Sequence, residues 1–137
     1  MKNILKITIV LLLAFSIKSF AQIDTLNYLK QFELNKANYI GQPLSKLLND
    51  MTQIQPKTIW SNLNFKNRNQ TLSSDFKFCE KELSFSNTVI LFIEWQTPIP
   101  RSDTKYYQDL NHSNFTPAER FFYSSKIVKD IAVYRSR

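Results

Sequence analysis

"TVILFIEW", Thr88 to Trp95, is apolar on both faces over a length typical of a strand, and it decides the fold. Such a run predicts a central β-strand covered on both sides, because an edge or half-exposed strand alternates apolar with polar residues. Glu94 is the exception, and a salt bridge near the strand end is its expected role. The run is expected to stop at "TPIPRSD", where Pro98 and Pro100 prevent further central pairing.

Upstream, "TLSSDFKFCEKELSF" carries an apolar phase on Leu72, Phe76 and Phe78 that moves to Leu83 and Phe85, which implies a bulge or turn near Glu80 to Lys81. Ile54, Ile59, Trp60, Leu63 and Phe65 predict a strand or strand pair before a polar turn at Asn67 to Gln70. Downstream, "DTKYYQDLNHS" is helical or irregular. "TPAERFFYSSK" then opens a short helix, with Thr116 as cap, Pro117 in the first position and Glu119 closing a capping box. "IVKDIAVYR" is a closing strand with Ile127, Ile131 and Val133 on one face.

Nearer the N-terminus, Asp24 can cap a helix bearing Leu26, Leu29 and Phe32 that ends near Asn35 to Asn38. Leu44, Leu47, Leu48 and Met51 follow at i, i+3, i+4 and i+7 behind Pro43, a one-sided second helix. Gly41, the chain's one glycine, falls between these helices, where a sharp turn needs positive φ or close backbone approach. The stretch "YIGQPLSKLL" resembles the opening of PASTA domains and of the repeat unit in beta-lactamase-inhibitor-like proteins. The later glycine of those units has no counterpart here, and no function is carried over. The order of elements predicts a small single α+β domain: an antiparallel sheet of about four to five strands, two N-terminal helices, one short helix before the last strand, and the helices mainly on one side.

Residues 1–21 run from Lys2 and Lys6 through an apolar stretch to the small residues Ser19 and Ala21, the pattern of a cleaved secretory signal peptide. The stretch is short for a membrane span and Lys18 interrupts it, so residues 22–137 are expected as one domain, periplasmic or secreted, and not membrane-spanning after processing. Loss of the three lysines lowers the formal charge from +7 to +4, a moderate excess that suits solubility and attraction to anionic surfaces. Cys79 has no partner for an internal disulfide, so the domain must fold on packing; a buried, free or intermolecularly paired thiol all remain open.

The same scarcity limits the chemistry. One glycine cannot build a phosphate-cradling loop, so no nucleotide is expected. One His and one Cys cannot supply a structural zinc site, and no metal or other cofactor is expected. A Cys79–His112 dyad lacks anything to hold the imidazole. Paired carboxylates are the remaining enzymatic option: Glu80, Glu82 and Glu94 on neighbouring strands could divide acid and base roles in one concave pocket.

Two aromatic and basic clusters point to binding instead. Trp95, Arg101, Lys105, Tyr106 and Tyr107 form one; Trp60, Phe65, Lys66 and Arg68 form the other. Aromatic faces beside cations suit stacking on sugars or peptide segments, the ring supplying area and the cation steering. The expectation is a small exported binding protein of the bacterial envelope or exterior whose partner is an envelope protein, a glycan or an anionic surface. Nucleic acid is disfavoured by export, and a small secreted carboxylate-dependent hydrolase is the alternative.

Overall fold

The computed structural model describes residues 23–137, and the expected export signal lies outside them. The chain forms α1 (Thr25–Leu34), a 3-10 turn at Lys36–Asn38, α2 (Leu44–Asp50), β1 (Thr58–Leu63), β2 (Gln70–Lys77), β3 (Val89–Pro100), α3 (Arg101–Asn111), α4 (Pro117–Ser124) and β4 (Val128–Arg135). The four strands make one antiparallel sheet in the order β1-β2-β3-β4, so the fold is α+β as expected.

β3 lies between β2 and β4, with Leu91 opposite Phe76 and Val133, and Ile93 opposite Ser74 and Ile131. Val89, Leu91, Ile93 and Trp95 on one face join a single core with Leu29 and Phe32 of α1, Leu44, Leu47 and Leu48 of α2, and Tyr123 of α4. The expected coverage of both faces is met in part: Ile90, on the face away from that core, is also buried, and beside it Phe85 packs on Trp60 while the Ser84 carbonyl accepts from Lys77. Ile90, Phe92 and Glu94 point the other way, onto a face whose cleft is lined by strand and hairpin residues alone.

Sheet irregularities move several residues from their expected phase. A bulge between Thr71 and Ser73 puts Leu72 on the face opposite Phe76, and a second between Glu94 and Trp95 brings Val128, rather than Ile127, into the core. The segment expected to carry the phase through Leu83 and Phe85 is a turn with a 3-10 helix at Lys81–Leu83. β3 also runs on through both prolines. Beyond its last β4 partner, the Trp95–Val128 pair, it pairs with β2 alone, and one free edge accommodates residues that lack an N–H.

Each sheet edge is covered by local chain at the start of its strand. Gly41 takes φ 77°, and its N–H donates to Val128 O at 2.8 Å while the Val128 N–H donates to Gln42 O at 3.0 Å, so the turn lies along the start of β4. At the other edge the Ile59 N–H donates to Ser113 O and the Phe115 N–H to Lys57 O, at 2.9 and 2.8 Å. Covering unpaired edge groups in this way blocks strand addition by a second chain.

Helix ends follow their sequence signals. The Asp24 carboxylate accepts from the Asn27 N–H at 3.2 Å, and the capping box of α4 is complete, the Thr116 hydroxyl accepting from the Ala118 N–H and Glu119 from the Thr116 N–H. Glu119 is buried, and the Asn111 amide also donates to it at 2.6 Å, which ties the end of α3 to the start of α4. This carboxylate is therefore satisfied from both sides, as a buried charge must be.

Candidate binding surfaces

α3 begins where β3 ends, so its first turn sits at the end of the sheet beside the β1–β2 hairpin. The Arg101 N–H donates to Asn69 O at 2.8 Å. A cleft of about 510 Å³ lies there, lined by Asn69, Pro100, Arg101, Ser102 and Lys105. Two segments some thirty residues apart in sequence thus meet at one end of the molecule, bringing Arg101 and Lys105 next to the hairpin that carries Lys66 and Arg68.

The members of the first cluster divide between surface and core. Lys105 and Tyr106 are exposed, with Lys105 paired to Asp109 one turn on, and Arg101 is half-buried. Tyr107 turns inward, its ring 4.6 Å from Phe122 and 5.2 Å from Tyr106. Trp95 is in the core, stacked on Tyr123 at 5.6 Å, and its indole N–H donates to the Ser74 hydroxyl at 3.1 Å. Any contact it makes with a partner is indirect, through the packing beneath α3 and α4.

In the second cluster Phe65 is 97% exposed at the hairpin. Trp60 is held under Phe85, ring centres 5.6 Å apart, with the Lys77 ammonium 5.6 Å over the indole, and its Nε1 has no hydrogen-bond partner among the described residues.

The face of the sheet turned away from the helices holds a larger cleft, about 680 Å³, between the hairpin and β4. Asp75 lies in it with Asn62, Phe65, Arg68, Phe92 and Tyr134. Asn62 Nδ2 donates to Asp75 Oδ1 at 2.9 Å, and Asp75 has no ion pair among the described residues. Burial pushes the Asp75 carboxyl above its ordinary range, against the opposing effects of the Asn62 hydrogen bond and the Lys77 charge. The Tyr134 phenol is also pushed up, by burial and by the nearby Asp75 charge. No known family model, curated protein or solved structure matches this chain.

Sequence reasoning did not single out Asp75, Asn62 or Tyr134. The available signal was Asp75 itself, an acid beside Phe76 within a predicted strand and so on the face away from the core, but the cleft it shares with Asn62, Phe92 and Tyr134 follows from pairing with β1 and β3 and from the hairpin. The acids that were singled out lie apart. Glu94 pairs with Lys129 at 2.7 Å opposite Ser73, whereas Glu80 pairs with Lys57 at 2.9 Å beyond Lys77, at least four strand residues or roughly 13 Å along β2. None of the clefts described here is lined by Glu80, Glu82 or Glu94. The Cys79 thiol contacts the Thr88 hydroxyl at 3.2 Å, and His112 is an exposed helix cap with φ 53°. Among the described residues no group of three or more His, Cys, Asp or Glu side chains could hold a metal ion, and no helix is long and apolar enough to cross a membrane.

Proposed function

We propose that this chain is an exported binding protein of the bacterial envelope or exterior, acting through surface complementarity without a cofactor. Its recognition surface is the end of the sheet where Arg101, Lys105 and Tyr106 of α3 stand beside the β1–β2 hairpin, with Tyr107 anchoring α3 on Phe122 of α4 and Trp95 in the core beneath Tyr123 of α4. The single observation that carries this reading is the Arg101–Asn69 backbone bond, because it sets Arg101 and Lys105 of α3 against the hairpin around one cleft. Cations grouped on one end raise the encounter rate with anionic partners and orient them on approach.

The partner fitting this end is an envelope component with negative charge. Affinity capture from an envelope fraction, using the purified protein as bait, tests the assignment. The expected result is a retained partner that is lost with the charge-reversed R101E/K105E variant and released by salt. Equal retention by the wild type and that variant would sink the proposal.

A further inference from the structure

We infer that the cleft on the sheet face turned away from the helices is a binding site for a neutral saccharide, held between Phe65, Phe92 and Tyr134 and hydrogen-bonded by Asp75 and Asn62. It lies on a different surface from the Arg101 end, and it narrows the partner classes of the proposed function to one for this cleft.

The lining selects the ligand class. Asp75 and Arg68 are its charged side chains, one of each sign, so neither an organic cation nor an anion meets a complementary field. What remains is a neutral molecule with both an apolar surface and many hydroxyls. A pyranose ring has this form, with C–H bonds on its faces to lie against an aromatic ring and hydroxyls around its edge.

The polar groups are unused in the way such a ligand needs. An ionised carboxylate offers about four acceptor positions, and Asn62 occupies one on Oδ1. Asn62 keeps a second N–H and its carbonyl for the same ligand, so the pair can meet adjacent hydroxyls as acceptor and donor. Sugar hydroxyls donating to Asp75 replace the water lost by burial with charge-assisted hydrogen bonds. Phe65 stands 97% exposed at the mouth of the cleft, and stacking on a sugar face buries its ring. A volume of about 680 Å³ admits one or two hexose units.

Screening the purified protein on an array of neutral hexose and N-acetylhexosamine oligosaccharides, with sulfated glycans and putrescine as charged comparators, tests this. The expected result is saturable binding to at least one neutral glycan, with amide shifts in β1, β2 and β3 around Asn62, Asp75 and Phe92. Affinity should fall roughly tenfold or more in D75N and in F65A, the ratio carried by one charge-assisted hydrogen bond or one stacked ring. Phe65 is exposed, so F65A folds normally, and unchanged amide shifts elsewhere verify this for D75N. R101E/K105E should bind the glycan as the wild type does, which separates this site from the envelope-capture surface. Binding to no neutral glycan, binding confined to the charged comparators, or binding that survives D75N and F65A would each overturn the inference.

Discussion

Glu33 on α1 accepts a hydrogen bond from the backbone N–H of Val133 on β4 at 3.0 Å, one hundred residues along the chain. A helix side chain thereby occupies an outward-facing N–H of the last strand, the position where another chain would otherwise pair. Replacing Glu33 with Ala should cost about 1–2 kcal/mol in urea unfolding, since the edge N–H loses its acceptor. E33Q, which keeps an acceptor oxygen, should lose less, and a larger loss in E33Q than in E33A would contradict the assigned role.

The same corner should be sensitive to acid. Burial raises the Glu33 carboxyl, but hydrogen bonds from Lys30 and Val133 and the charges of Lys30 and Lys36 outweigh it, leaving the group below its ordinary 4.5. Asp130 is held below 3.8 chiefly by its hydrogen bond from Lys36, at 2.7 Å. Carboxyls lowered by folding stabilise the protein above their unfolded values, and that contribution is lost as pH falls through the folded ones. An E33A/D130A double variant should therefore show a smaller loss of melting temperature than the wild type as pH falls from about 5 through this range.

Asp75 should behave in the opposite sense. Its raised carboxyl favours the folded state most below the unfolded value of 3.8, and this advantage disappears as pH rises through the folded pKa. D75N removes the charge and keeps an acceptor for Asn62. It should melt higher than the wild type at neutral pH, with the difference shrinking in acid, the usual trade of stability for a functional group. A D75N protein less stable than the wild type at neutral pH would refute this.

The two tryptophans should respond differently to conversion to Phe. Trp95 is buried, stacked on Tyr123, and donates to Ser74, so W95F leaves a void and removes one donor from the Ser74 hydroxyl, at about 2–4 kcal/mol. Trp60 has an indole N–H with no partner among the described residues, so W60F deletes an unsatisfied donor and should cost less than about 1.5 kcal/mol. Chemical denaturation of the two variants compares them directly.

Gly41 has φ 77° and nothing within 4 Å of where a Cβ would stand, so the demand at this position is conformational. G41A should cost about 1–2 kcal/mol, and G41N less, because Asn tolerates the left-handed region. Equal losses in both would point to a steric requirement the local space does not show.

Short-range chemistry made much of this architecture legible in the chain. The apolar run Val89–Trp95, the stripe Leu44, Leu47, Leu48 and Met51, the Thr116–Glu119 capping box and the turn at Gly41 each depend on residues a few positions apart, and each forms as its spacing requires. The outcome of strand pairing was not legible. One bulge turns Leu72 away from the core and another exchanges Ile127 for Val128, because one extra residue reverses every later side chain in a period-two element. For the same reason only the folded sheet decides that one face is covered in part and keeps a cleft, that Trp95 is interior, that Arg101 meets Asn69, and that Asp75 shares that cleft with Asn62 and Tyr134. Those neighbours are set by register between distant strands, which no local pattern encodes.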